Sequence, residues 1–440
     1  VVFSLNQVIT IPTAYLYKTN AALRDTKITS PSPWTVEVKV PWLAMQVAIM
    51  RFGEYIHIVP PEVVEKYGDM ADPQNSVGTG PFILQDHVDG SQTTVVRNPN
   101  YWMKDPVGPG EGNQLPYLDA VRMLIIPDAS TRQAALRTGK IDVHGSIIYE
   151  DYNLFRNTSP ELLWRKSYPQ TLMHMGMRID REPFTDIRVR RALMMATDFE
   201  SIKRDYYADD AQIVTFPIVY VRGYEAAYLG PDPETGEWPE DTPESVKELY
   251  VYNPEKAKQL LAEAGYPDGF KTHMNMQNAQ AIVDYYSIIK GMWSKVGVNL
   301  ELRPMETGPL TKMSWDHTQE QILYAIGGGP PIATGLWQLG NMRGTGQNNI
   351  AMINDPLVEE AFTKIQTLAI IDQPEAMAVH RELMKYVLDQ AWAIPQHGPA
   401  RYKAWWPWLR NYSGEDAVGY FNAYYRWVWI DQELKESMGY

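Results

Sequence analysis

A chain of 440 residues is too long to be organised around one hydrophobic core, because single cores stop growing at roughly 250 to 300 residues and longer chains divide. Two large lobes are therefore the first expectation. The means to fill them are present: 45% of the residues are hydrophobic, and 14 Trp with 27 Tyr exceed what core filling asks for, so some rings should face a ligand. Against 53 acidic residues stand 40 basic ones, a net charge of −13 with no Lys/Arg run to interrupt it. Such a surface repels polyanions, which excludes nucleic acid and anionic membrane as partners. Cysteine is absent, and with it disulfides, thiolate metal sites and Cys nucleophiles. The most apolar run, Leu43 to Met50, is interrupted by Gln46 and followed by Arg51, too short to span a bilayer. The sequence opens at Val1-Val2-Phe3-Ser4-Leu5 without Met, basic segment or apolar signal core, so an upstream part is expected, either cleaved away or additional to these residues.

Periodicity and punctuation place the local elements. Trp34 to Val40 alternates apolar and polar residues, the period of a strand with one buried face, and Pro41 ends it. A glycine and proline turn at Asn75 to Phe82 precedes a strand over Thr93 to Arg97, and Asn98-Pro99 sets an extended turn expected to let Tyr101 and Trp102 pack inward. Three helices carry agreeing signals. Val189, Ala192, Leu193 and Ala196 form one stripe, with Arg188, Arg190 and Arg191 on the other faces. Asn253 caps a second helix opened by Pro254, striped by Ala257, Leu260, Leu261 and Ala264 and stopped by Gly265. Asp355 and Pro356 open a third, with Val358, Ala361, Phe362 and Ile365 on its apolar side. Helices alternating with short strands indicate a mixed α/β protein. Two stretches stand out: the glycine-rich Gly327 to Gly346, carrying Trp337, Asn341 and Arg343, a loop of the kind that binds something, and the ring-dense Trp392 to Trp408, half of which core packing explains.

A search for chemistry finds none. His57, His87, His144, His174, His273, His317, His380 and His397 include no pair at metal-ligand helical spacing, so no metal or other cofactor is expected. No G-x-S-x-G elbow is present, Gly139-Lys140 lacks the rest of a phosphate loop, and Gly78-Thr79-Gly80 runs into proline where a dinucleotide fingerprint needs a third glycine. Two of the 53 acidic residues meeting in a cleft would make a carbohydrate-active enzyme, the alternative to a protein that only binds.

Four segments then carry a resemblance. Gly78-Thr-Gly-Pro-Phe82, Val96-Arg-Asn-Pro-Asn-Tyr-Trp102, Pro183-Phe-Thr-Asp-Ile-Arg-Val-Arg-Arg-Ala-Leu193 with Ala196-Thr-Asp198, and Tyr252 to Phe270 resemble, in order, the motifs of the family-5 extracellular solute-binding proteins of ABC importers, the dipeptide and oligopeptide-binding group. Asn354-Asp-Pro356 and Ala393-Ile-Pro395 extend the likeness. The resemblance implies a two-lobed periplasmic-binding-protein-like fold (type II, cluster C) with a hinge of crossing strands: lobe I over residues 1–171, lobe II over 172–399, and 400–440 returning to lobe I. It implies a non-enzymatic monomer, periplasmic or extracellular and in some members a membrane-anchored lipoprotein, that closes on an oligosaccharide or peptide-like solute in the inter-lobe cleft and delivers it to the permease subunits of the transporter. In the family a substantial opening portion precedes the segment matching Val1 to Leu5, so the N-terminal side of lobe I is expected to be incomplete here. Peptide-binding members also carry an aspartate after the strand matching Gln321 to Ile326, where this sequence has Gly327-Gly-Gly-Pro-Pro331. A buried ammonium without a carboxylate costs several kcal/mol, so a neutral, hydroxyl-rich solute is favoured over a free-amine peptide. Trp337, Asn341, Arg343, Trp315, His397, Tyr402 and Trp405 are the candidate ligand contacts; core packing is the competing role for the rings, and a satisfied structural histidine for His397.

Overall fold

The computed structural model describes residues 1–54, 56–169, 172–220, 225–327, 339–344, 346, 348–414 and 423–440. The chain divides into two compact units, Val1–Ser167 with Arg401–Tyr440, and Tyr168–Ala400.

The Tyr168–Ala400 unit is built on a five-stranded mixed sheet in the order Asn299–Met305, Lys271–Gln277, Ile322–Gly327, Leu172–Met177, Ala393–Pro395. The first three strands run parallel, Leu172–Met177 is antiparallel to its neighbours on both sides, and Ala393–Pro395 therefore points the same way as the first three. The helices are those the punctuation predicts. Ile187–Met195 buries Val189, Ala192 and Leu193, and packs on Pro254–Glu263, where the Asn253 side chain accepts from the Lys256 N–H and Gly265 takes φ +94°. Pro356–Leu368 is capped by Asp355 and buries Val358 and Ile365. Gln280–Ser294 covers the sheet with Tyr285, Tyr286, Ile289 and Trp293, all fully buried, and the Trp293 indole donates to Thr197 Oγ1 at 3.0 Å. Two parallel-strand connections approach closely at Gly269: a Cβ there would lie 2.0 Å from the Gly297 carbonyl oxygen.

The arginine cluster differs from expectation in one member. Arg188, exposed, pairs with Asp186, and Arg191, largely buried, pairs with Asp389 and Glu248. Arg190 is buried and donates to the carbonyls of Phe184, Thr185 and Gln390. Burial lowers its pKa to about 10, still far above neutrality, so it stays charged and ties two segments to the helix.

The other unit carries two three-stranded antiparallel sheets. In one, Gln92–Arg97 lies between Phe82–Val88 and Ala120–Leu124; in the other, Arg401–Trp405 lies between Val143–Ile147 and Leu163–Ser167. The ring-dense stretch is core here: Trp406 and Trp408 stack at 4.5 Å and 5° and donate to Leu136 O and Asp142 Oδ1. The expected strand after Trp34 forms as Thr35–Lys39 in a hairpin with Lys27–Ser32, and its apolar face is only partly covered: Val38 packs, half-buried, against the cluster of Leu5, Ile9, Leu23 and Ile28. The hairpin has only two strands, so Val36 stays exposed and Trp34 is 98% accessible. Likewise Tyr101 packs inward while Trp102 points out, 73% exposed. No described helix is long and apolar enough to cross a membrane.

Candidate functional site

In sheets with parallel strands, ligands gather outside the carboxyl ends, where successive loops converge. In the Tyr168–Ala400 unit those ends are Gln277, Met305, Gly327 and Pro395, and the register that sets Gly327 opposite Leu172 brings the start of the antiparallel strand to the same edge. Gln396 and His397 follow Pro395 directly, and the Gln396 N–H donates to Met173 O at 2.7 Å.

Behind this edge stands a cluster of rings. Tyr285 and Tyr286, on Gln280–Ser294, meet edge to face at 5.0 Å. Tyr286 donates to Gln396 Oε1 at 3.1 Å. His397 Nε2 lies 2.8 Å from the Phe199 carbonyl, which can only accept, so Nε2 carries the proton. Nδ1 then accepts from the Tyr285 hydroxyl at 3.0 Å, and the same hydroxyl accepts the His397 N–H at 3.4 Å. Both ring nitrogens are thus used within the fold. Burial pushes the His397 pKa down to about 4 and raises those of Tyr285 and Tyr286, so the cluster is uncharged at neutral pH.

In front of it, half-buried, are Tyr206, Tyr207 and Met173. Tyr206 and Tyr207 pack edge to face at 4.7 Å, and Tyr207 lies 6.2 Å from Tyr285. They close a π-helical turn, Ile202–Tyr206, followed by Ala208 at φ +50° and Asp209 at φ +62°. A π-turn and consecutive left-handed non-glycine residues are unfavourable conformations that concentrate at functional sites. One amide and one hydroxyl complete the edge: Gln277 Nε2 donates to Thr307 Oγ1 at 3.0 Å, and the Tyr324 hydroxyl donates to Met173 Sδ at 3.3 Å. Carboxylates lie close in sequence, Glu306 next to Met305, and Asp205, Asp209 and Asp210 around Tyr206 and Tyr207. The arrangement offers apolar ring faces with neutral hydroxyl and amide groups at their rim, suited to an uncharged polar solute surface.

The sequence candidates are dispersed. His397 belongs to this cluster. Trp315, on Thr307–Asp316, is 52% exposed. Asn341 is buried in the turn Gly340–Met342, its Oδ1 without a partner among the described residues. Arg343 pairs with Glu359 at 2.9 Å and lies over the Phe362 ring at 3.9 Å. Tyr402 and Trp405 belong to the other unit, where Tyr402 stacks on Tyr152 at 4.0 Å and Trp405 packs edge-on against Tyr412 at 5.2 Å. Trp337 lies outside the described residues, as do Gly328 to Pro331. The groups added by the structure, Tyr206, Tyr207, Tyr285, Tyr286 and Gln396, include two Tyr-Tyr doublets, the one signal the sequence held for them.

The comparisons with known proteins agree with one another. The family model described as bacterial extracellular solute-binding proteins, family 5, middle region, matches residues 1–347. Glutathione-binding protein GsiB of Salmonella typhimurium is 27% identical over 303 residues, 67% of this chain and 51% of that protein. Heme-binding protein A of Haemophilus influenzae is 29% identical over 245 residues, 53% of this chain and 37% of that protein. The chain therefore spans about half the length, or less, of these relatives. Among solved structures, a peptide-binding protein AppA from Clostridium difficile, described as putative, superposes with a TM-score of 0.75 at 16% identity, covering 98% of this chain and 84% of that one. The binding protein AgaA of A. tumefaciens R10, solved with agropinic acid, gives 0.72 at 20%, covering 98% and 82%. At these identities the likeness establishes the fold, that of the periplasmic binding proteins of the oligopeptide-binding type.

Proposed function

The chain belongs to the family-5 bacterial extracellular solute-binding proteins, and from that membership we propose that it is the solute-binding component of an ABC importer, which captures a peptide-like or oligosaccharide solute outside the cytoplasm and hands it unchanged to a membrane permease. Relatives named for binding glutathione and heme support binding without turnover, and the carbohydrate-active alternative gains no support from them. The observation that carries the choice of solute is the carboxyl edge of the five-stranded sheet. There Tyr206 and Tyr207 stand before a neutral Tyr285, Tyr286, Gln396 and His397 cluster. Rings stack on the apolar faces of a sugar or an amide plane, and neutral hydroxyls and amides satisfy its polar rim, whereas a buried unpaired ammonium there would be costly. Isothermal titration against glutathione, a free-amine tetrapeptide, its end-blocked form and a neutral oligosaccharide series tests the proposal. Saturable binding of an uncharged oligosaccharide or blocked peptide, recovered intact, is expected. Binding confined to the free-amine peptide overturns the solute assignment, and appearance of a cleaved product overturns the transport role.

A further inference from the structure

Away from the sheet edge, the Tyr168–Ala400 unit holds a cavity of about 380 Å³, at the small end of the sizes that take up organic ligands. None of Tyr206, Tyr207, Tyr285, Tyr286, Gln396 and His397 lines it. Phe199 separates the two places: its ring packs at 5.2 Å on Tyr250, which lines the cavity, and its carbonyl accepts from His397 Nε2. One wall is held in place by its own hydrogen bonds. The Asp232 N–H donates to the Glu237 carbonyl and the Gly236 N–H to the Asp232 carbonyl, both at 2.8 Å, while the Asp232 carboxylate accepts from the N–H groups of Glu234 and Thr235. This closed loop leads into Trp238, whose ring meets Tyr250 at 5.0 Å, and Ile213 and Pro233 continue the apolar lining.

The polar groups of the lining differ in what already occupies them. Asp198 Oδ1 accepts the Ser201 N–H, Asp232 is engaged in its loop, and Lys247 pairs with Glu244 at 2.8 Å. Three groups remain. Glu200 and Lys203 stand three residues apart, the spacing at which opposite charges on a helix meet, yet neither side chain makes a hydrogen bond or ion pair among the described residues. Gln212 is only 8% exposed, and its side-chain amide also has no partner among the described residues. A buried amide left unbonded is costly, and a ligand that bonds it removes that cost.

We propose that this cavity is a second ligand site, for a free amino acid with an apolar side chain. Glu200 takes the ammonium, Lys203 and the Gln212 amide take the carboxylate, and the side chain lies against Trp238 and Tyr250. One unengaged carboxylate and one unengaged ammonium beside an apolar wall call for a small zwitterion, because a ligand with a single charge leaves one of the two groups unmatched. The proposal does not rest on the reading of the sheet edge, with which it shares no residue.

Isothermal titration with L-phenylalanine, N-acetylphenylalanine and phenylalaninamide tests this. The free amino acid should bind saturably and at least ~10-fold more tightly than either blocked form. Glu200→Gln should weaken phenylalanine by at least ~10-fold and leave N-acetylphenylalanine unchanged, since that compound has no ammonium to lose a partner. Lys203→Met should weaken phenylalanine similarly and leave the amide unchanged. Tyr207→Ala, at the sheet edge, should leave phenylalanine within about 2-fold. No saturable binding of phenylalanine up to about 10 mM overturns the proposal, as does equal binding of the three compounds. A loss on Tyr207→Ala as large as that on Glu200→Gln also overturns it, because the amino acid would then sit at the sheet edge.

Discussion

At the scale of single residues, burial keeps the interior histidines of the Tyr168–Ala400 unit uncharged. His174, His380 and His397 are all buried, with pKa values pushed down to about 3, about 3 and about 4. An unfolded histidine takes its proton near pH 6.5, so between that value and the lowered ones the unfolded chain binds more protons than the folded one, and stability falls as the pH drops from about 6.5 toward 4. His174 faces Phe216 at 4.9 Å and leaves Nδ1 without a partner among the described residues. His174→Leu should therefore be tolerated at pH 7 and be more stable than the parent by about 2 kcal/mol at pH 5, read by urea unfolding at the two pH values. Equal pH dependence in both proteins would refute this. At the sheet edge, Tyr207→Ala should weaken binding of a neutral solute by about 10-fold, while Glu306→Gln should leave it within about 3-fold. The reverse ranking, measured by titration, would assign recognition to the carboxylate and hence to an ammonium. Candidate contacts were the least legible feature of the sequence. Trp405 and Tyr402 carry the same chemistry as Tyr207, and only tertiary placement separates a ring in a core from a ring at a rim.

Elements were far more legible, for a local reason. The helix Pro254–Glu263 announces both ends in its own residues, with Asn253 bonding the Lys256 N–H and Gly265 taking a left-handed angle. Asn253→Ala should destabilise the protein by about 1 kcal/mol and Asn253→Asp by much less, because only the former removes the side-chain acceptor. Denaturant midpoints for the two variants check it; equal losses would point to packing of the side chain and not to its bond to the Lys256 N–H. Strand burial was less legible. Thr35–Lys39 has the alternation of a half-buried strand and forms, yet only Val38 finds partial cover while Val36 stays exposed, because alternation reports what a strand is able to bury and not what lies over it. Arg190 teaches the same at a helix: its place in a run of three arginines gave no sign that three carbonyls would enclose it.

For the whole molecule, family and fold were readable because four ordered motifs, together with the later Asn-Asp-Pro and Ala-Ile-Pro segments, sample both units, from the turn at Gly78 to the strand at Ala393–Pro395. The account built on them makes one physical demand, that a solute enters, is held by neutral groups and departs with its bonds intact. Native mass spectrometry of the protein purified from its own host, followed by denaturation and analysis of the released molecule before and after long incubation, meets that demand most directly. The expected result is a discrete mass increment from an uncharged oligosaccharide or peptide-like solute, identical in composition at both times. A solute found shortened after incubation, or a free-amine peptide held as the sole occupant, would contradict it.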